Sequence, residues 1–139
     1  MNRNDIDIFE KLSGQLISIY DEISILSKKN PNDAVNKFKL KFINNAITNA
    51  NEFLSDDYLP FDSFKAFEED DIPQNGDIVF ILSQYLQCFE KMRADNVVLK
   101  HGYWCWKIEA KENEKAREDE YQDGKIIFKK TVKPKKLRD

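Results

Sequence analysis

Two apolar stripes at helical spacing, parted only by Asn30-Pro31, restrict what this chain can fold into more than any other feature it carries. Phe9, Leu12, Leu16, Ile19, Ile23 and Leu26 recur at alternating steps of three and four, which puts them on one side of an α-helix. Ile8, Ile17 and Tyr20 widen that stripe. Lys28 and Lys29 suit the negative end of the helix dipole, and Pro31 discourages continuation. Asn30-Pro31-Asn32-Asp33 then reads as the start of a second helix, with a capping amide, a proline tolerated in the first turn and an acid near the positive end. Val35, Phe38, Phe42, Ala46, Ala50 and Phe53 carry the second stripe to about Leu54. A connection this short folds the two helices back as an antiparallel hairpin with their stripes facing.

Pro60, Pro73 and Asn75-Gly76 make residues 55–76 a connector. Ile78, Val79, Leu82, Tyr85, Leu86, Phe89 and Met92 predict a third long helix, with Asp77 in its first turn and Lys91 and Arg93 towards its end. The core expected from these stripes contains Leu16, Ile19, Phe38, Phe42, Leu82, Leu86 and Phe89. After Asn96 the pattern changes to β-favouring runs, Val97-Val98-Leu99, residues 103–108 and Ile126 to Val132, with Gly102 marking a turn. Trp104, Trp106 and Ile108 share the core-facing side of the middle run, and Tyr103, Cys105 and Lys107 the other. Residues 109–123 carry dense mixed charge and are expected as a solvated helix or loop. The fold class is α+β, mainly α: a long antiparallel helical hairpin, a third long helix, and a small C-terminal β-hairpin or sheet. One globular domain is expected over residues 1–132, with a basic tail at 133–139.

Composition narrows the function classes. Ten Phe, five Tyr and two Trp in 139 residues argue against a disordered chain. Cys88 and Cys105 are too few for a disulfide framework and lack zinc-ligand spacing, so reduced thiols are expected. The opening residues lack a signal-peptide apolar run, and no segment reaches the roughly 20 apolar residues that span a bilayer. A cytoplasmic protein with no membrane partner is the expectation.

The net charge of −3 hides a separation of sign. Residues 55–77 hold eight acids against Lys65 alone, whereas residues 124–139 hold seven bases against Asp139 alone. Within the acidic connector, Glu68, Glu69, Asp70 and Asp71 supply a charged rim, and Phe64 and Phe67 supply apolar anchors. This favours a small non-enzymatic interaction protein, regulatory, inhibitory or immunity-type, that covers a basic protein partner; a homo-oligomer is also open. The alternative is an accessory component of a nucleic-acid-processing system, with Lys129, Lys130, Lys133, Lys135, Lys136 and Arg138 on phosphates. A third reading takes Asp95, Glu109 and Lys111, which locally resemble the Asp…Glu-x-Lys arrangement of restriction-type nucleases. That resemblance implies a cation held by the acids and a lysine near the attacked phosphate. Glu68 to Asp71 lack the alternating order of a calcium loop, and the single histidine, His101, sits beside a turn glycine without a marked nucleophile. No cofactor or metal is therefore expected.

Overall fold

The computed structural model describes residues 1–135, in the order α1 (Arg3–Lys29), α2 (Lys37–Phe53), a 3-10 turn (Glu69–Asp71), α3 (Asn75–Asn96), β1 (Val97–Lys100), β2 (Tyr103–Glu109), β3 (Glu120–Asp123) and β4 (Ile126–Lys130). The fold is α+β and mainly α, as the periodicity predicts. Its residues gather into two compact units, 9–89 and 1–8 with 90–139. The helices α1 and α3 each run from one unit into the other.

Three helices build the first unit. Early α1 meets late α2 through the rings of Phe9 and Phe53, 6.2 Å apart, and late α1 meets early α2 through Glu22 and Lys39 at 3.2 Å. These contacts establish the antiparallel hairpin. Phe9 also lies 5.1 Å from Phe89, while Asn75 at the start of α3 donates to the Asn30 carbonyl, so α3 runs antiparallel to α1 as well. Phe9, Leu12, Leu16 and Ile23 of α1, Leu40, Ile43, Ile47 and Ala50 of α2, and Ile78, Leu82, Tyr85 and Phe89 of α3 are buried here.

Two details of α2 differ from the sequence reading. Its N-cap is Asn36, whose Oδ1 accepts the Lys39 amide at 2.8 Å, and not Asn30. Residues 31–34 form a turn with an isolated bridge between Ala34 and Gln74. More consequentially, Phe38 and Phe42 are 73% and 53% exposed. At 3.6 residues per turn they lie roughly 150° and 110° around the helix from the middle of its buried arc. Leu40, Ile43 and Ile47 form a competing stripe of equal period, and that aliphatic stripe takes the core. Leu16, Leu82 and Phe89 are buried as expected, whereas Ile19 and Leu86 are half-buried.

The third helix starts at Asn75, inside the segment expected as a turn. Asp77 Oδ2 accepts the Gln74 amide at 3.0 Å, satisfying a donor that the helix start would otherwise leave open. Gly76 donates to the Pro31 carbonyl, and a Cβ there would stand 3.3 Å from that oxygen, which favours glycine.

The second unit holds a four-stranded antiparallel sheet of order β1-β2-β4-β3. His101 and Gly102, at φ 51° and 81°, make the two-residue turn of the β1–β2 hairpin, where the type I′ geometry requires two positive φ values. The β3 strand falls in the charged run at 109–123, which the sequence alone predicts as a solvated helix or loop. Gly124-Lys125 is the two-residue turn that joins it to β4, with Gly124 at φ 63° in the first central position. Polar tethers fasten this sheet. Arg3 reaches Glu114 at 2.7 Å and Glu120 at 2.6 Å, Asp7 accepts from Lys129 at 3.0 Å, and buried Arg93 donates to the Thr131 hydroxyl.

Candidate binding surfaces

The acidic connector is stitched to its own unit. Asn44 on α2 pairs with both polar backbone groups of Phe67, accepting its N–H at 2.8 Å and donating to its carbonyl at 2.9 Å. Asn51 donates to the carbonyls of Phe64 and Lys65 and accepts the Tyr85 hydroxyl at 2.5 Å. The rings form a ladder, with Phe61 to Phe64 at 6.1 Å, Phe64 to Phe67 at 5.2 Å and Phe61 to Tyr85 at 6.5 Å. Phe64 and Phe67 are thus half-buried among aromatics of their own unit. Glu68, Glu69, Asp70 and Asp71 face water, held in place around the 3-10 turn. Ile72 follows them at φ 49°, 65% exposed, an unusual backbone region for a β-branched residue.

Beside this acidic turn lies the aromatic pair that sequence reasoning assigned to the core. Phe38 and Phe42 pack edge to face at 5.0 Å on the outer side of α2. Phe42 also borders a shallow groove with Ile19 and Ala46. Of the flanking cations, Lys37 pairs with Glu69 at 3.1 Å and Lys39 with Glu22, and Lys41 is exposed beside Phe42. The Lys37–Glu69 contact puts the acidic turn next to the aromatic pair. The helical unit carries seven bases and thirteen acids, a net −6, and the sheet unit fifteen bases and twelve acids, a net +3.

The proposed phosphate-binding lysines divide between the two faces of the sheet. Lys129 lies on the face of Trp106 and is held by Asp7, with only 16% of its side chain exposed. That ion pair and Arg117 keep the Asp7 carboxyl below its ordinary value of 3.8. Lys130 lies on the opposite face with its ammonium 3.9 Å from the centroid of the Tyr103 ring. Lys133 and Lys135 are exposed, and Lys136 and Arg138 lie outside the described residues. The aromatics sort as follows: Trp106 is buried, Trp104 half-buried, and Tyr103 53% exposed.

Glu109 and Lys111 border the same two clefts, but Asp95 borders neither and pairs with Lys91 at 3.2 Å in the last turn of α3. Among the described residues no three His, Cys, Asp or Glu side chains gather to hold a metal ion. Burial raises both cysteine thiols above their ordinary value, which keeps them protonated and poorly nucleophilic. His101 is exposed, its ring 5.5 Å from that of Tyr121. Among the described residues no helix is long and apolar enough to cross a membrane.

No protein-family model, curated protein or solved structure matches this chain.

Proposed function

We propose that the chain is a small, non-enzymatic, cytoplasmic interaction protein whose helical unit captures a basic protein partner. The observation that carries this reading is the exposure of Phe38 and Phe42, 73% and 53%, on an otherwise well-packed helix. Aromatic rings standing in water lose free energy that a partner's pocket restores, and such residues dominate binding energy at interfaces. Phe38 and Phe42 thereby take the anchoring role that the sequence suggested for Phe64 and Phe67.

The partner's charge follows from the surroundings. Lys37 and Lys39 are already paired and Lys41 stands beside Phe42, so the acidic field comes from Glu68, Asp70 and Asp71 in the neighbouring turn and from the −6 of the unit. A partner with an apolar pocket and a basic flank fits both. The acids contribute mainly to association rate, because exposed charges steer encounter and are screened by salt.

The test is the affinity of the co-purified partner, after nuclease treatment, for wild-type protein and for F38A/F42A. Loss of two anchors is expected to weaken binding by tenfold or more. Replacing Glu68, Glu69, Asp70 and Asp71 with their amides is expected to slow association at low salt and leave dissociation unchanged. A partner that binds F38A/F42A as tightly as wild type removes this surface from the reading.

A further inference from the structure

The sheet unit presents a second surface of different chemistry, on the face turned away from Trp106. Strand alternation and register put Lys100, Tyr103, Lys107, Tyr121, Phe128 and Lys130 together on this face. Phe128 is covered: Tyr121 stacks on it at 5.1 Å, and Lys100, itself bound to Asp123, lies over its ring. Tyr103 keeps half its surface open, at the edge where the His101-Gly102 turn closes the hairpin, with the Lys130 ammonium over one side of its ring.

Two exposed lysines lie beside that ring on the same face. Lys130 stands opposite Cys105 and Lys107 two residues further along β2, whereas Lys125 stands beside Ala110, whose amide donates to the Lys125 carbonyl at 2.7 Å, and so has the parity of the Trp106 face. Two residues of antiparallel strand advance about 6.8 Å, comparable to the separation of successive phosphates in an extended single strand. Lys107, Lys111 and Lys125 also line an open cleft of 850 Å³ floored by Ile108 and Ile126, with Glu109 among them.

We infer that this face binds single-stranded nucleic acid, with backbone phosphates on Lys130, Lys107 and Lys111 and one base stacked on the side of the Tyr103 ring that Lys130 leaves open. Charge complementarity argues for an anionic occupant, since this unit is the basic one despite an acidic whole. The exposed ring supplies the sequence-tolerant stacking that single strands offer and duplexes do not. Lys129 takes no part, because Asp7 holds it on the opposite face. This site is independent of the aromatic pair on α2, and F38A/F42A leaves it intact.

The experiment is fluorescence anisotropy of labelled dT12 and U12 against the full chain at 50 and 200 mM salt, with a 12-base-pair duplex for comparison. Saturable binding of one or both single strands is expected, weaker for the duplex, with a slope of log K against log salt of about −2 for three phosphate contacts. K107E/K130E is expected to weaken binding at least tenfold and flatten the slope. Y103A is expected to weaken it about fivefold or more at unchanged slope. E109Q, which removes the acid between Lys107 and Lys111, is expected to tighten it. No saturable binding by either strand at 50 mM salt overturns the proposal, as does equal or tighter binding of the duplex. Unchanged affinity in K107E/K130E, with circular dichroism confirming its fold, also overturns it. Displacement of the strand by inorganic tripolyphosphate with Y103A behaving as wild type reduces the site to a simple anion patch and rejects base stacking.

Discussion

The helical unit and the sheet unit are held together by different kinds of contact. In residues 9–89 three helices interlock through apolar side chains, and even the connector is drawn in by a ladder of aromatic rings. In residues 1–8 with 90–139, a small sheet buries Trp106, Ile108 and Ile127 on one face, and it is fastened by the ion pairs of Arg3 and Asp7 and by the hydrogen bond from Arg93 to the Thr131 hydroxyl. Apolar burial scales with area and tolerates rearrangement, whereas a buried ion pair is stable only while both partners are present. The helical unit is therefore expected to lose stability gradually with core truncation, and the sheet unit sharply when Arg3, the cation of buried Glu120, is removed.

The two tryptophans, Trp104 and Trp106, both belong to the sheet unit, so their fluorescence reports on it while far-UV circular dichroism reports mainly on the helices. The largest effect is expected from Phe89→Ala, which opens a cavity between Phe9 and Phe53. It should cost about 3–5 kcal/mol, read from denaturant midpoints. If fluorescence and dichroism then shift together in one transition, the two units fold cooperatively and the contrast between them is one of chemistry only.

Arg3→Ala comes next. Glu120 has no side-chain exposure, and removing Arg3 leaves its carboxylate buried without its cation. A loss near 3 kcal/mol is expected, with hydrogen exchange accelerating in β3 and β4 before it does in α2. Equal acceleration in α2 would show that the tether serves the whole chain.

Asn44→Ala removes both hydrogen bonds to Phe67 and is expected to cost roughly 1–2 kcal/mol. Proteolysis should then strike residues 55–76 first. An unchanged cleavage rate would mean that the aromatic ladder alone holds the connector.

The smallest effects concern surface groups. Asp7 titrates below its ordinary value of 3.8 because Lys129, and then Arg117, stabilise its charge. Its contribution is present above that value and lost as pH falls through the lowered one. For a pair this exposed the contribution is about 0.2–1 kcal/mol, and Asp7→Asn should remove that part of the acid-induced loss. F38A/F42A should change stability by no more than about 0.5 kcal/mol, since neither ring is buried. A larger loss would return Phe38 and Phe42 to the core.

Local periodicity was enough to place three helices, their antiparallel hairpin and the His101-Gly102 turn, because spacing and backbone preference act within a few residues of chain. It was not enough to choose between two stripes on α2. Phe38-Phe42 and Leu40-Ile43-Ile47 satisfy the same period, and only packing against α1 and α3 decided that the aliphatic one goes inside. The same limit applied to β3, whose Glu120-Tyr121-Gln122-Asp123 carries little strand preference of its own. It becomes a strand because Glu120 and Tyr121 find Lys129 and Phe128 across the ladder and Arg3 neutralises Glu120 from 117 residues away. Sequence also set which residues carry charge, but not which face they occupy. Lys129 and Lys130 are adjacent and alike, and the pleat of β4 sends one to Asp7 and the other to Tyr103. Both faces of a surface strand accept a lysine, so its role is fixed only by the elements that fold against it.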